Sequence, residues 1–355
     1  MAKNKKNLID LFSGAGGFSL GFELAGFTSV LAIDKWEDAI ATYNANREMQ
    51  VGTTRDICDF SNDEIEELDR ANGIAGIIGG PPCQGFSMVG MRDAKDERNN
   101  LYLQFVRFVR VIRPAFFILE NVRGLLTMSL GFFRDDIIAR FSSLGYNVNY
   151  KILRASDYGV PQSRDRVFFV GLNARIFGNI YFDFSSILKT HCISTFEALS
   201  DLPDLDSGQD PSKYTSSPSN EYQSMMRDGS DVIRNNDLTH HTPQTINIIK
   251  RVPDGGNIRD LELAFYNVRN YNAAFKRMNS SRPSHTIDCG HRNYFHYSQN
   301  RIPTARESAR LQSFPDRYFF TGNKSSQYTQ IGNAVPPEMS RRIATSLLKY
   351  LKGIK

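Results

Sequence analysis

The stretch that most constrains the fold lies near the start. Leu8-Ile-Asp-Leu-Phe12 is a nearly apolar run, Ser13-Gly-Ala-Gly-Gly17 follows it, and residues 18–25 are apolar-rich. An apolar run stopped by clustered glycines reads as a buried strand, a tight turn and the start of a helix. The next apolar run, Val30-Leu-Ala-Ile33, ends on Asp34, twenty residues after Gly14. An acid at that distance is placed to hydrogen-bond ribose hydroxyls beside a glycine turn. The pattern predicts an α/β fold with a ligand at the carboxyl ends of parallel strands. It is not a dehydrogenase fingerprint, because the spacing runs Gly14-x-Gly16-x-x-Ser19 and lacks the third glycine.

Further strands are predicted where Ile74-Ala-Gly-Ile-Ile78 and Phe116-Phe-Ile-Leu119 form short apolar runs. The first runs into Gly79-Gly-Pro-Pro-Cys-Gln-Gly-Phe-Ser87, which puts Cys83 on a loop just past a strand end. The second closes on Glu120-Asn-Val122. A carboxylate directly after a buried strand is costly unless it is paired or used. Both residues therefore fall on one sheet edge. Residues 88–100 are polar and glycine-containing and are expected to form a long loop. Leu101, Phe105, Phe108, Val109 and Ile112 follow helical spacing up to Pro114. A helix is expected over 129–144 and strands over 146–153 and 162–170. In such a strand Gln162, Arg164 and Arg166 would share one face. Residues 327–337 are expected to form a loop, and 338–351 a closing helix with Met339, Ile343, Leu347 and Leu348 on one side.

Charge is unevenly placed. Residues 1–200 hold 22 Lys+Arg against 23 Asp+Glu, and the rest of the chain holds 21 against 15. A basic second half points to an anionic partner, with nucleic acid foremost. Within 250–300, arginines that include Arg277 and Arg292 interleave with aromatic residues, a texture suited to phosphates and base edges. The four cysteines form no CxxC and no Cys/His cluster, so neither a zinc site nor a disulfide framework is expected. No apolar run approaches a membrane span of about 20 residues. The expected protein is cytoplasmic, with no membrane association.

Taken together, the motifs resemble the DNA cytosine-5 methyltransferases, in order and over nearly the whole chain. Phe12-Ser-Gly-Ala-Gly-Gly17 is similar to the family's S-adenosylmethionine loop. The resemblance implies that Phe12, Ser13, Gly14, Gly16, Gly17, Asp34, Lys35, Asp56, Ile57, Pro82, Leu101, Asn333 and Ala334 bind the cofactor. It implies that Cys83 is the nucleophile and that Glu120, Arg164 and Arg166 are catalytic, the arginines belonging to Gln162-x-Arg164-x-Arg166. Arg306-Glu-Ser-Ala-Arg310-Leu-Gln-Ser-Phe-Pro315 is similar to the segment that supports the recognition domain. DNA contacts are expected from Gln84, Ser87, Val89, Gln162, Arg277 and Arg292. The implied architecture is a Rossmann-like methyltransferase domain over 1–172, completed by 327–355, and a smaller, loop-rich target-recognition domain over 173–326.

The implied reaction moves a methyl group from S-adenosylmethionine to C5 of cytosine in duplex DNA, leaving S-adenosylhomocysteine, with no metal. C5 is a poor nucleophile until a thiolate adds at C6. To assist at N3, Glu120 must carry a proton, which calls for burial; the same acid could recognise the exocyclic amine. Arg166, and after it Arg164, would contact the ring oxygen or hold Glu120. The base that removes the C5 proton is not indicated. Because C5 and C6 are hidden in the stack, the base must be flipped out. A monomer is expected, with a cognate restriction endonuclease as partner. A tRNA cytosine methyltransferase of the same fold is the nearest rival; the long segment between 172 and 327 favours DNA. A nucleobase deaminase would need Pro-Cys-x-x-Cys, and position 86 is Phe.

Overall fold

The computed structural model describes residues 6–82, 97–262, 265, 275–290 and 293–352. These pack into two units. The first comprises Met1–Arg154, Asp165–Leu188 and Met339–Lys355; the second comprises Ala155–Arg164 and Lys189–Glu338. These bounds differ from the expected boundaries at 172 and 327. Residues 174–188 stay with the first unit because they are tied to the closing helix, Pro337–Leu351: Asp183 N–H donates to Tyr350 Oη (2.8 Å), and Arg342 donates to Leu188 O (3.1 Å).

The first unit is built on a seven-stranded sheet. Its strands are β1 (Asn7–Leu11), β2 (Thr28–Asp34), β3 (Gly52–Thr54), β4 (Gly76–Gly79), β5 (Phe116–Val122), β6 (Tyr146–Arg154) and β7 (Asp165–Asn173), in spatial order β3-β2-β1-β4-β5-β7-β6. β1 to β5 run parallel, β7 is antiparallel to β5, and β6 is antiparallel to β7. Every residue of β1 is buried, as expected for a parallel strand covered on both faces. Helices α1 (Gly17–Leu24), α2 (Glu37–Ala45), α3 (Asn62–Asn72), α4 (Glu97–Ile112) and α5 (Phe132–Ser143) alternate with the strands. α3 starts at a capping box in which Ser61 and Glu64 satisfy each other's backbone N–H groups. The core gathers on Phe117, whose ring stacks on Phe141 at 3.9 Å and meets Phe105 edge-on at 6.2 Å. Truncating such a buried ring typically costs about 3–5 kcal/mol.

Three local expectations are corrected. The helix predicted from 129 begins at Phe132, because Ser129, Leu130 and Gly131 all have positive φ (50°, 57° and 90°). Residues predicted as a loop from 327 lie in a helix, Lys324–Asn333, opened by the Asn323 side chain accepting from Ser326 N–H (3.0 Å). The strand predicted from 162 starts only at Asp165, so Gln162 and Arg164 do not share a strand face with Arg166.

The second unit is loop-rich. Its strands, Lys276–Arg277 and Tyr294–Phe295, form a two-residue ladder. Its interior contains buried ion pairs. Arg310 donates to Asp316 Oδ1 (2.8 Å) and pairs with Asp201, and Arg227 also reaches Asp201 (2.6 Å). Arg301 grips Glu307 through both nitrogens (2.7 and 2.6 Å). Glu307 also closes the capping box of the helix Ala305–Leu311.

Candidate active site

The carboxyl edge of the first unit's sheet carries Phe12, Ser13, Gly14, Asp34, Asp56 and Glu120. At the end of β1 the chain turns through Phe12 (φ 59°) and Gly14 (φ 51°). Ser13 N–H donates to Ile33 O (3.0 Å), which fixes the turn beside β2. Asp34, the last residue of β2, accepts from Gly14 N–H and Trp36 N–H, both at 2.9 Å. A carboxylate has about four lone-pair sites, so these bonds orient Asp34 and leave acceptor capacity. A Cβ on Gly14 would meet nothing within 4 Å, so the turn faces open space. Gly16 caps α1, which begins at Gly17.

Asp56 follows β3. Its Oδ1 accepts from Cys58 N–H (2.9 Å), and that bond holds its carboxyl below the usual range. Lys35 Nζ lies 3.7 Å from Asp56 Oδ2. Ile57 is buried in the core, and Leu101 packs on the same cluster. The Ile57 carbonyl accepts from Arg107 (3.0 Å). Pro82 is exposed beyond β4.

Glu120 lies near the end of β5 with its side chain 11 % exposed. Arg166 Nε, on β7, stands 3.0 Å from Glu120 Oε1. The register pairs Val122 with Arg166 and Glu120 with Phe168, so Glu120 and Arg166 are diagonal neighbours on one face. Gly80 closes the other side: a Cβ there would come within 3.0 Å of Glu120 Oε2. Asn121 Nδ2 donates to Pro81 O (2.9 Å), tying the acid strand to the prolines before Cys83. Sequence reasoning gave no role to Gly80 or Asn121; the Gly-Gly-Pro-Pro run was the available signal for a close backbone approach. Cys83, Gln84, Ser87, Val89 and Arg292 lie outside the described residues.

Other predicted residues have different surroundings. Gln162 is buried, donating to Leu311 O (3.1 Å) and Gln312 Oε1 (2.8 Å) and accepting from Ile287 N–H (2.9 Å). Arg164 is buried and donates to Ile287 O, Gly332 O and Ala334 O at 3.2, 2.9 and 3.2 Å. Both tie the second unit together, because the chain joins β7 only after Arg164. Asn333 Oδ1 is 2.9 Å from Cys289 Sγ. Arg277, expected on DNA, is 5 % exposed and donates to the carbonyls of Val252, His296, Gln299 and Ile249 and to Asn300. A guanidinium has five N–H donors, and these bonds direct them inward. Arg277 is a core tie of the second unit.

Comparison with known proteins gives the family. The model of the C-5 cytosine-specific DNA methylases matches residues 6–349. The chain belongs to this family. The methylase is 39% identical to the Type II methyltransferase M.DdeI of Desulfomicrobium norvegicum, over 98% of this chain and 90% of the relative. It is 37% identical to M1.HphI of Haemophilus parahaemolyticus, over 96% and 86%. A solved structure described as a prophage-encoded DNA modification methyltransferase of E. coli superposes with TM-score 0.82 at 26% identity, covering 98% of this chain and 99% of that one. The Dnmt2 methyltransferase of S. pombe shares the fold, with TM-score 0.61 at 17% identity over 96% and 98%. The methylase is thus a DNA (cytosine-5-)-methyltransferase on an α/β methyltransferase fold.

Proposed function

We propose that the methylase transfers a methyl group from S-adenosylmethionine to C5 of a flipped-out cytosine in a specific duplex sequence, through a covalent Cys83–C6 intermediate. The observation that carries this reading is the Glu120–Arg166 pair (3.0 Å), set beside Gly80, which directly follows β4 on the way to Cys83. The β1 turn fits the cofactor. Gly14 opens onto space, Asp34 is oriented, and the buried Ser13 hydroxyl has no hydrogen-bond partner among the described residues. Phe12, Ser13, Gly14, Asp34 and Asp56 would hold it. Bound there, the cofactor supplies an electrophilic methyl group on a sulfonium.

The chain's own residues do the rest. The Cys83 thiolate adds to C6, and the electron pair displaced from the C5–C6 bond moves toward N3. Glu120, carrying a proton, donates a hydrogen bond at N3, and Arg166 fixes its carboxyl while facing the developing charge. C5 then takes the methyl group. Loss of the C5 proton to a base restores the double bond and expels Cys83 as thiolate. The Type II relatives support a setting in restriction–modification, beside a nuclease that acts on the same site.

The test incubates duplex DNA with methyl-labelled S-adenosylmethionine and either the wild-type protein or Cys83→Ser, then maps modified bases. Label at C5 of cytosine in one short motif, lost in the variant, is the expected result. Label on tRNA alone would overturn the substrate, and label retained by Cys83→Ser would overturn the covalent step.

A further inference from the structure

A second charged group occupies the same sheet edge as Glu120. Arg123 directly follows β5, Arg154 ends β6 and Asp165 begins β7. The register places Arg154 opposite Asp165. Asp165 accepts from Arg154 Nε (2.9 Å) and Nη2 (3.2 Å) and from Arg123 Nη1 (3.4 Å). The Arg123 and Arg154 side chains are 67% and 56% exposed. Two guanidiniums share one carboxylate at this edge. Exposed ion pairs of this kind contribute about 0–1 kcal/mol, which is little reason for a fold to align three charges at one edge.

Adjacent strand residues face opposite ways. Asp165 therefore lies on the face opposite Arg166 and Glu120. β5 and β6 are two strand spacings apart, about 10 Å. A cytosine held at Glu120 stays bonded to the phosphates on either side of it, so the DNA backbone has to run past this edge. A guanidinium presents paired N–H donors that match phosphate oxygens.

We propose that Arg123 and Arg154, held by Asp165 at the ends of β5, β6 and β7, grip the phosphodiester backbone beside the target cytosine. The contact reads no base. Asp165 keeps the guanidiniums extended and moderates their charge. The inference rests on duplex DNA being the substrate.

The test measures binding of the full chain to a mixed-sequence DNA duplex by fluorescence anisotropy across a salt series. Arg123→Gln and Arg154→Gln should each weaken binding about 5- to 10-fold at low salt and lower the salt slope by about 1. Asp165→Asn should shift both in the opposite direction, strengthening binding and steepening the slope. Thermal melting of each variant separates these effects from misfolding. Unchanged slopes in the folded arginine variants, or weaker binding by folded Asp165→Asn, would overturn the inference. A wild-type protein that methylates no DNA would remove its basis instead.

Discussion

Arg166 Nε lies 3.0 Å from Glu120 Oε1, and the pair sits diagonally across β7 and β5. Arg166→Lys keeps the charge but loses the planar donor fork. If the fork orients the acid toward N3, kcat should fall about 100-fold while the methyl donor binds as before. Single-turnover methylation beside equilibrium cofactor binding checks this. An equal loss in cofactor affinity would refute a role confined to chemistry.

Asp34 accepts from Gly14 and Trp36 N–H groups at the turn after β1. Asp34→Ala removes both bonds, each of a class contributing about 1.5–3 kcal/mol. Affinity for S-adenosylmethionine should drop about 10- to 100-fold. Trp36 is the sole tryptophan, so intrinsic fluorescence reports the binding directly. Asp34→Asn should lose less.

Burial pushes the Asp10 carboxyl up to about 7, against the lowering influence of Ser19 and Arg47. The folded chain thus keeps a proton that the unfolded chain releases near 3.8. This contribution to stability is complete below 3.8 and is lost as pH rises toward 7. Asp10→Asn should melt closer to the wild type at pH 4 and gain about 4 kcal/mol relative to it at pH 8. Paired thermal melts at the two pH values decide it.

Glu307 is fully enclosed with Arg301, and the guanidinium overcomes the cost of burial to bring its carboxyl down to about 2. The stability it adds is present above about 4.5 and is lost as pH falls through 2. Glu307→Gln leaves Arg301 buried without its charge partner, which should cost about 3–5 kcal/mol. Denaturant melts should show the loss. An apolar double replacement, Arg301→Met with Glu307→Leu, should recover most of it.

Much of the first unit was legible in the sequence because its strands are short apolar runs ended by glycine, proline or an acid. β1, β4 and β5 are of this kind, and their ends carry the site. The stretch just before the closing helix was not legible. Residues 324–333 are polar and include Gly332, so no apolar period marks a helix; burial of Tyr328 and Ile331 and the Asn323 cap make one. The Gln162-x-Arg164-x-Arg166 pattern misled for a related reason. Strand periodicity put three donors on one face, but nothing in residue type says that the strand starts at Asp165. Arg277 likewise reads as a surface cation, and only the backbone carbonyls around it reveal that it points inward.

The chain passes between its two units at 154/155, 164/165, 188/189 and 338/339. One of these crossings falls inside a five-residue motif. Exchange of the second unit between relatives by gene splicing is therefore not a matter of one cassette. A transplant of residues 189–338 alone would leave the native 155–164 segment facing a foreign Ile287, Leu311 and Gly332, the groups that Gln162 and Arg164 bind. A viable chimera must carry both pieces, with four junctions, or be limited to loops that touch neither side chain.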